Sequence, residues 1–85
     1  MQLNGKFFLI TGGNSGIGLA AAHALIEAGA RVAIFGRDPQ TIDTAVAVLG
    51  EDTIGVAGDV SRIEDLDRLF AEIRQSGQAL DGLDR

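Results

Sequence analysis

The chain predicts an α/β fold in which a parallel sheet is flanked by helices, and three observations carry that prediction. Short apolar runs rich in aromatic and β-branched residues alternate with longer runs whose apolar residues recur every three or four positions. Such alternation produces parallel strands joined by crossover helices. Between the first short run and the first long one lies a glycine-rich stretch, Thr11, Gly12, Gly13, Asn14, Ser15, Gly16, Ile17 and Gly18. Gly29, Gly50 and Gly77 each follow a long run, where glycine most readily ends a helix.

In chain order, residues 6–10 have the content of a buried parallel strand. A helix is predicted over residues 17–28 and closed by Gly29, with Ile17, Ala20, Ala21, Ala24, Leu25 and Ala28 as its apolar stripe. A second strand covers residues 31–35 and turns at Gly36 and Arg37. Asp38 suits the N-cap and Pro39 the first position of the next helix. Ile42, Ala45, Val46 and Leu49 form its buried face, and Gly50 stops it. The third strand spans residues 53–57, followed by Gly58, Asp59 and Val60. Ser61 with Glu64 three residues on has the form of a capping box. It opens a third helix with the stripe Ile63, Leu66, Leu69, Phe70 and Ile73, ended by Ser76 and Gly77. Leu80, Asp81, Gly82 and Leu83 lead toward a fourth strand that the chain barely begins, so three parallel strands are expected. Right-handed crossovers put the first two helices on one face of the sheet and the third on the other.

Composition excludes several partners. A net charge of −5 lacks the basic surface that nucleic acid or an anionic membrane requires. With no cysteine there is no disulfide, thiolate zinc site or thiol nucleophile, which suits a reducing, cytoplasmic setting. No basic leader precedes an apolar stretch, and no run approaches the ~20 apolar residues that span a bilayer. His23, the only histidine, falls away from the apolar stripe of its helix, which argues against catalysis or metal binding. Glu64, Asp65, Asp67 and Glu72, interspersed with Arg68 and Arg74, read as a solvated helix face.

The glycine-rich stretch has a chemical use. A strand that runs through glycines into a helix brings backbone N–H groups and the positive end of the helix dipole to one spot, which suits a pyrophosphate. Gly12 permits the turn out of the strand, Gly16 lets backbone approach a phosphate, and Gly18 lets the helix sit close to the sheet. Asp59 and Val60 follow the third strand, where an open parallel sheet binds ligands. A turn aspartate capping the next helix beside Ser61 is the plain structural alternative for Asp59.

Thr11, Gly12, Gly16 and Gly18, together with Asp59-Val60 and Leu80-Asp81-x-Leu83, are the residues by which the chain resembles the N-terminal part of a short-chain dehydrogenase/reductase, over nearly all its length. The resemblance implies a Rossmann-type sheet, a nicotinamide dinucleotide, and hydride transfer to or from a small carbonyl or alcohol substrate. By the same resemblance, Thr11 orders the turn while Gly12, Asn14, Ser15, Gly16, Ile17 and Gly18 frame the phosphates and riboses. The resemblance further implies that Asp59 accepts a hydrogen bond from the adenine amino group and that Val60 packs on or bonds to the ring. Cofactor choice turns on the end of the second strand, where an acid would bond the ribose hydroxyls of NAD. Gly36 stands there, and Arg37 follows with a guanidinium suited to a 2′-phosphate. The expectation is therefore NADP rather than NAD. The alternative for Arg37 is an exposed loop cation paired with Asp38. Many NADP-using members also carry a basic residue just before the central glycine, where this chain has Ser15.

The family's chemistry rests on a serine and a Tyr-x-x-x-Lys pair. The chain has no tyrosine, and its one lysine, Lys6, opens the first strand. The expectation is an incomplete domain over residues 1–85, the adenine-binding half, without a catalytic residue of its own. Substrate would be bound only in a longer form. Lacking a full fourth strand, the first strand should be an exposed edge open to self-association, with the far end of the third helix untethered. A free-standing nucleotide-binding module and an interaction module pairing with an intact homologue are the other readings.

Overall fold

The computed structural model describes residues 3–12, 16–50, 52–78 and 80–84. Its elements are β1 (Phe7–Thr11), α1 (Gly16–Glu27), β2 (Arg31–Gly36), α2 (Pro39–Leu49), β3 (Ile54–Ala57), α3 (Ile63–Gln75) and β4 (Gly82–Asp84). The strands form one parallel sheet in the order β3-β2-β1-β4. The predicted elements are present, with edges moved by a residue or so where backbone pairing decides them. Thr11 belongs to β1 because it pairs with Phe35, and Gly36 belongs to β2 because it pairs with Ala57. Thr53 is left out of β3 because its N–H donates to the Gly50 carbonyl at 3.1 Å.

Side chains on successive residues of a strand point to opposite faces, so each strand supplies two cores. Ile10, Val32 and Ile34 meet Ala22 of α1 and Ile42, Ala45 and Leu49 of α2. Phe7, Leu9, Ala33, Phe35 and Val56 meet Leu69 and Ile73 of α3, with Leu66 and Leu80 against them. Two helices on one face and one on the other is the predicted arrangement. The stripes need correction. Among the residues of α1 whose burial is described, Ala22 is the fully buried one, while Ala20 and Ala24 face solvent. In α3 Ile63 is 74% exposed and Phe70 42%.

α2 opens as expected: the Asp38 carboxylate accepts from the Gln40 N–H at 3.0 Å, with Pro39 next in the chain. α3 does not. Its N-cap is Arg62, whose side chain makes no capping bond. Ser61 instead donates its amide and its hydroxyl to the Asp59 carboxylate at 2.9 and 2.8 Å, a local turn that competes with the capping box for the same hydroxyl.

The fourth strand also corrects the expected topology. Gly82, Leu83 and Asp84 pair with Phe8, Leu9 and Ile10, so β1 is internal and the sheet edges are β3 and β4. Asp81 sets that register twice, accepting the Phe7 N–H on its carboxylate at 2.8 Å and donating its own N–H to the Phe7 carbonyl at 2.7 Å. Gln78 donates to the Gly5 carbonyl at 2.8 Å. The far end of α3 is thus tethered to the base of β1, and self-association through a bare β1 has no exposed strand to use.

Candidate functional site

The carboxyl ends of β1, β2 and β3 open on one cleft of about 540 Å³, lined by Thr11, Gly12, Phe35, Gly36, Arg37, Asp38, Gly58, Asp59, Val60 and Ser61. In an open parallel sheet this is the end at which ligands bind. Gly12 leaves β1 with φ of 73°, in the left-handed region that favours glycine, and its N–H donates to the Phe35 carbonyl at 2.7 Å. A Cβ on Gly12 would meet nothing within 4 Å, so the constraint there is conformational. Gly58 is the reverse case. Its N–H donates to the Gly36 carbonyl at 2.7 Å, and a Cβ would stand 2.9 Å from the Phe35 ring and from the Asp65 Cβ.

Asp59 and Arg37 face each other across the cleft. One Asp59 oxygen, Oδ1, is occupied by Ser61. The other, Oδ2, lies 3.6 Å from an Arg37 guanidinium nitrogen. The Ser61 amide, then its hydroxyl, hold the Asp59 carboxyl below its ordinary value of 3.8; burial opposes this, and the Arg37 and Arg62 charges assist. Arg37 is 84% exposed at its side chain and pairs with Asp59 rather than with Asp38, whose carboxylate caps α2. Asp59 makes the turn with Ser61 without capping α3, and its second oxygen faces Arg37.

Of the expected site residues, Thr11, Gly12, Gly36, Arg37, Asp59 and Val60 line this one cleft. Gly16, Ile17 and Gly18 open α1, whose N-terminus follows the turn out of β1. Asn14 and Ser15 lie outside the described residues. His23 is exposed and sits 3.7 Å from Glu27, one helical turn along. Asp65, expected on a solvated face, is only 19% exposed at its side chain and turns inward to accept the Asp59 N–H at 2.8 Å. The available signal for it was an acid in the first turn of a helix, where free N–H groups attract one. Gly58 gave no signal, because close approach to Phe35 depends on strand pairing. Among the described residues no group of His, Cys, Asp and Glu is placed to hold a metal ion, and no helix is long and apolar enough to cross a membrane.

The profile of the short chain dehydrogenase family matches residues 6–84. The chain belongs to that family. An oxidoreductase of Sarocladium schorii is 46% identical over 80 residues, which cover 94% of this chain and 32% of that protein. Among solved structures, L-sorbose reductase from Gluconobacter frateurii, complexed with NADPH and L-sorbose, superposes with a TM-score of 0.88 at 33% identity, covering 98% of this chain and 33% of its own. A 3-ketoacyl-(acyl-carrier-protein) reductase from Brucella melitensis, complexed with NADH, gives 0.90 at 32% identity, covering 96% and 34%. This short chain dehydrogenase sequence thus spans about a third of the length of such relatives. The family binds nicotinamide cofactors, and its structures hold both NADPH and NADH.

Proposed function

We propose that this chain holds the adenosine side of a nicotinamide dinucleotide and takes NADP(H) in preference to NAD(H). The observation that carries the reading is the end of β2. Gly36 stands where an acid would bond the ribose hydroxyls, and Arg37 extends beside it, 84% exposed at its side chain and, among the described residues, ion-paired with Asp59 at 3.6 Å. A guanidinium in that position can take a 2′-phosphate in two parallel hydrogen bonds. Asp59 Oδ2 would accept the adenine amino group, and Val60, 58% exposed, offers an apolar surface to the ring. Gly12, Asn14, Ser15, Gly16, Ile17 and Gly18, with Thr11, would frame the phosphates. Three features support the reading: the turn at Gly12 carries no side chain into the cleft, the exposed Arg37 guanidinium is a donor for a phosphate, and Asp59 Oδ2 is an acceptor for an adenine amino group.

When bound, the reduced dinucleotide supplies a hydride for a carbonyl substrate; these residues bind and orient its far end. The chain holds no tyrosine, so proton transfer by a Tyr-x-x-x-Lys pair would come from residues outside these 85. We therefore place carbonyl reduction or alcohol oxidation in a longer form, with residues 1–85 as its adenine-binding domain part. The cysteine-free composition supports a reducing, cytoplasmic setting. A free-standing nucleotide-binding module is the second reading, favoured by the pairing of β1 on both sides and by a core on each face of the sheet.

Calorimetric titration with adenosine 2′,5′-bisphosphate and with 5′-AMP tests the proposal. Expected is a preference of about tenfold or more for the bisphosphate, lost in Arg37→Ala, as for a charge-assisted pair. Equal affinity for the two, or a preference that survives Arg37→Ala, removes NADP selectivity from Arg37. The second reading is tested by melting the 85-residue chain: a cooperative transition supports a free-standing module, and its absence counts against one.

A further inference from the structure

The stretch from Ala57 to Ser61 carries the acidic wall of the cleft, and it is held from behind by α3. Asp65, in the first turn of that helix, accepts the Asp59 N–H on Oδ2 at 2.8 Å. Its other oxygen, Oδ1, lies 3.3 Å from an Arg68 nitrogen. The second terminal nitrogen of Arg68 donates to the Ala57 carbonyl. Asp65 and Arg68 thus grip the chain at Ala57 and at Asp59, on either side of Gly58. Gly58 in turn has no room for a Cβ between the Phe35 ring and the Asp65 Cβ, so Asp65 also sets how closely the turn can approach β2.

Asp59 is consequently fixed at both ends. Its amide is held by Asp65, and Oδ1 is held by Ser61. The remaining oxygen is directed across the cleft at Arg37. Without Asp65 the Asp59 amide loses its partner, and the side chain loses the backbone reference that orients it.

We propose that Asp65 is a positioning residue for the adenine-facing carboxylate, acting through the Asp59 amide and supported by Arg68. This rests on the nucleotide-binding reading above only for its effect on affinity; the effect on the turn stands apart. An adenosine ligand would meet a preset Asp59 Oδ2 and would not have to order the turn on binding, which is where preorganisation raises affinity.

The test uses the 85-residue chain with Asp65→Ala, Asp65→Asn and Arg68→Ala, and with Ile73→Val as a variant that loosens α3 without touching the turn. Two readouts are needed: the Asp59 and Ser61 amide resonances with their hydrogen exchange, and affinity for adenosine 2′,5′-bisphosphate beside ribose 5-phosphate, which lacks the base. Expected for Asp65→Ala are an upfield shift and faster exchange of the Asp59 amide, with about tenfold weaker binding of the adenosine ligand and unchanged binding of ribose 5-phosphate. Asp65→Asn, which keeps an acceptor oxygen, should restore the Asp59 amide signal and bring binding to within about threefold of the parent. Ile73→Val should alter neither readout. An Asp59 amide that ignores Asp65→Ala overturns the proposal, as does equal loss of binding in Asp65→Asn and Asp65→Ala. If the parent chain fails to bind the bisphosphate while the Asp59 amide still responds, the positioning role stands and the nucleotide reading falls.

Discussion

At the amino ends of the strands, Ile26, Gly29, Arg31, Leu49, Asp52 and Thr53 line a cleft of about 570 Å³. At the carboxyl ends Gly36, Arg37, Gly58 and Asp59 line one of about 540 Å³. Each has an arginine and an aspartate, yet we propose only the second as a site for an anionic nucleotide. At the amino ends Arg31 is already engaged: its Nε donates to the Asp52 carbonyl at 3.1 Å and its guanidinium lies 5.6 Å from the centre of the Phe7 ring. The helices α1 and α2 also end there, at Glu27 and Leu49, and the C-terminal end of a helix dipole repels phosphate. At the carboxyl ends both helices begin, and Arg37, 84% exposed at its side chain, has among the described residues an ion pair with Asp59 at 3.6 Å. Volume does not separate the two clefts. Backbone polarity and the freedom of the charged side chains do.

The largest expected effect comes from closing the carboxyl-end cleft at its tightest point. Gly58→Ala places a methyl group against the buried Phe35 ring and the Asp65 Cβ, each 2.9 Å from the added atom. Overpacking of this kind costs about 1–3 kcal/mol, to be read from urea unfolding. Because the clash lies inside the Ala57–Ser61 turn, nucleotide affinity should fall with stability. A stable variant with intact affinity would show that the turn can retreat from β2, and the contrast between the two ends would lose its structural basis.

Next comes a pair of substitutions whose consequences should be opposite. Arg31→Ala removes one hydrogen bond and one cation–ring contact, together about 1 kcal/mol of stability, and should leave nucleotide binding unchanged. Arg37→Ala removes a pairing at 3.6 Å between a mostly exposed side chain and a partly exposed one, which contributes little to stability, and should abolish the preference for a 2′-phosphate. If Arg37→Ala destabilises as much as Arg31→Ala, Arg37 is a structural residue and the distinction between the clefts fails.

A comparable contrast separates the two helices that follow the cleft, and it bears on what was legible before the structure. Asp38→Ala should cost about 1 kcal/mol through loss of the N-cap, whereas Glu64→Ala should lie within about 0.5 kcal/mol of the parent, both measured by thermal melting. The two caps looked equally good in sequence. Asp38 had Arg37 beside it, yet Arg37 turns to Asp59 and leaves the cap in place, while Ser61 is taken by Asp59 two residues upstream, and a capping pattern cannot reveal which partner a hydroxyl will choose. Strands and, apart from the start of α3, helix termini were legible because aromatic and β-branched runs and turn glycines report local geometry. The face of α1 was not, because Ala20, Ala21, Ala22 and Ala24 look alike, and burial of Ala22 is decided by where the sheet lies. The fourth strand was underestimated for a similar reason: Gly82, Leu83 and Asp84 are held by pairing with β1 and by the clasp of Asp81 on Phe7, neither of which leaves a periodic signal. In the cleft, Asp59 and Arg37 were visible as residues at strand ends, whereas Asp65 and Gly58 matter through contacts that only the folded chain creates.

The smallest effect is the titration of Asp59, and it resolves the carboxyl-end cleft most finely. The folded carboxyl is held below 3.8 chiefly by the Ser61 amide and hydroxyl, with smaller help from Arg37 and Arg62. A depressed carboxyl pKa makes the folded state bind fewer protons than the unfolded one, so its stabilising contribution is full above 3.8 and is lost as pH falls through the folded value. Carbon-detected NMR of the Asp59 carboxyl should therefore give a midpoint below 3.8. Ser61→Ala deletes the hydroxyl bond and leaves the amide bond, so the midpoint should rise part of the way back. Arg37→Ala should move it less, and added salt should weaken the Arg37 contribution more than that of Ser61, because an exposed ion pair is screened more than a direct hydrogen bond. If Arg37→Ala moves the midpoint more than Ser61→Ala, the guanidinium sits closer to Asp59 in solution than 3.6 Å implies, and the two walls of the cleft are locked together by their own charges. A nucleotide would then have to part them before either could bind it.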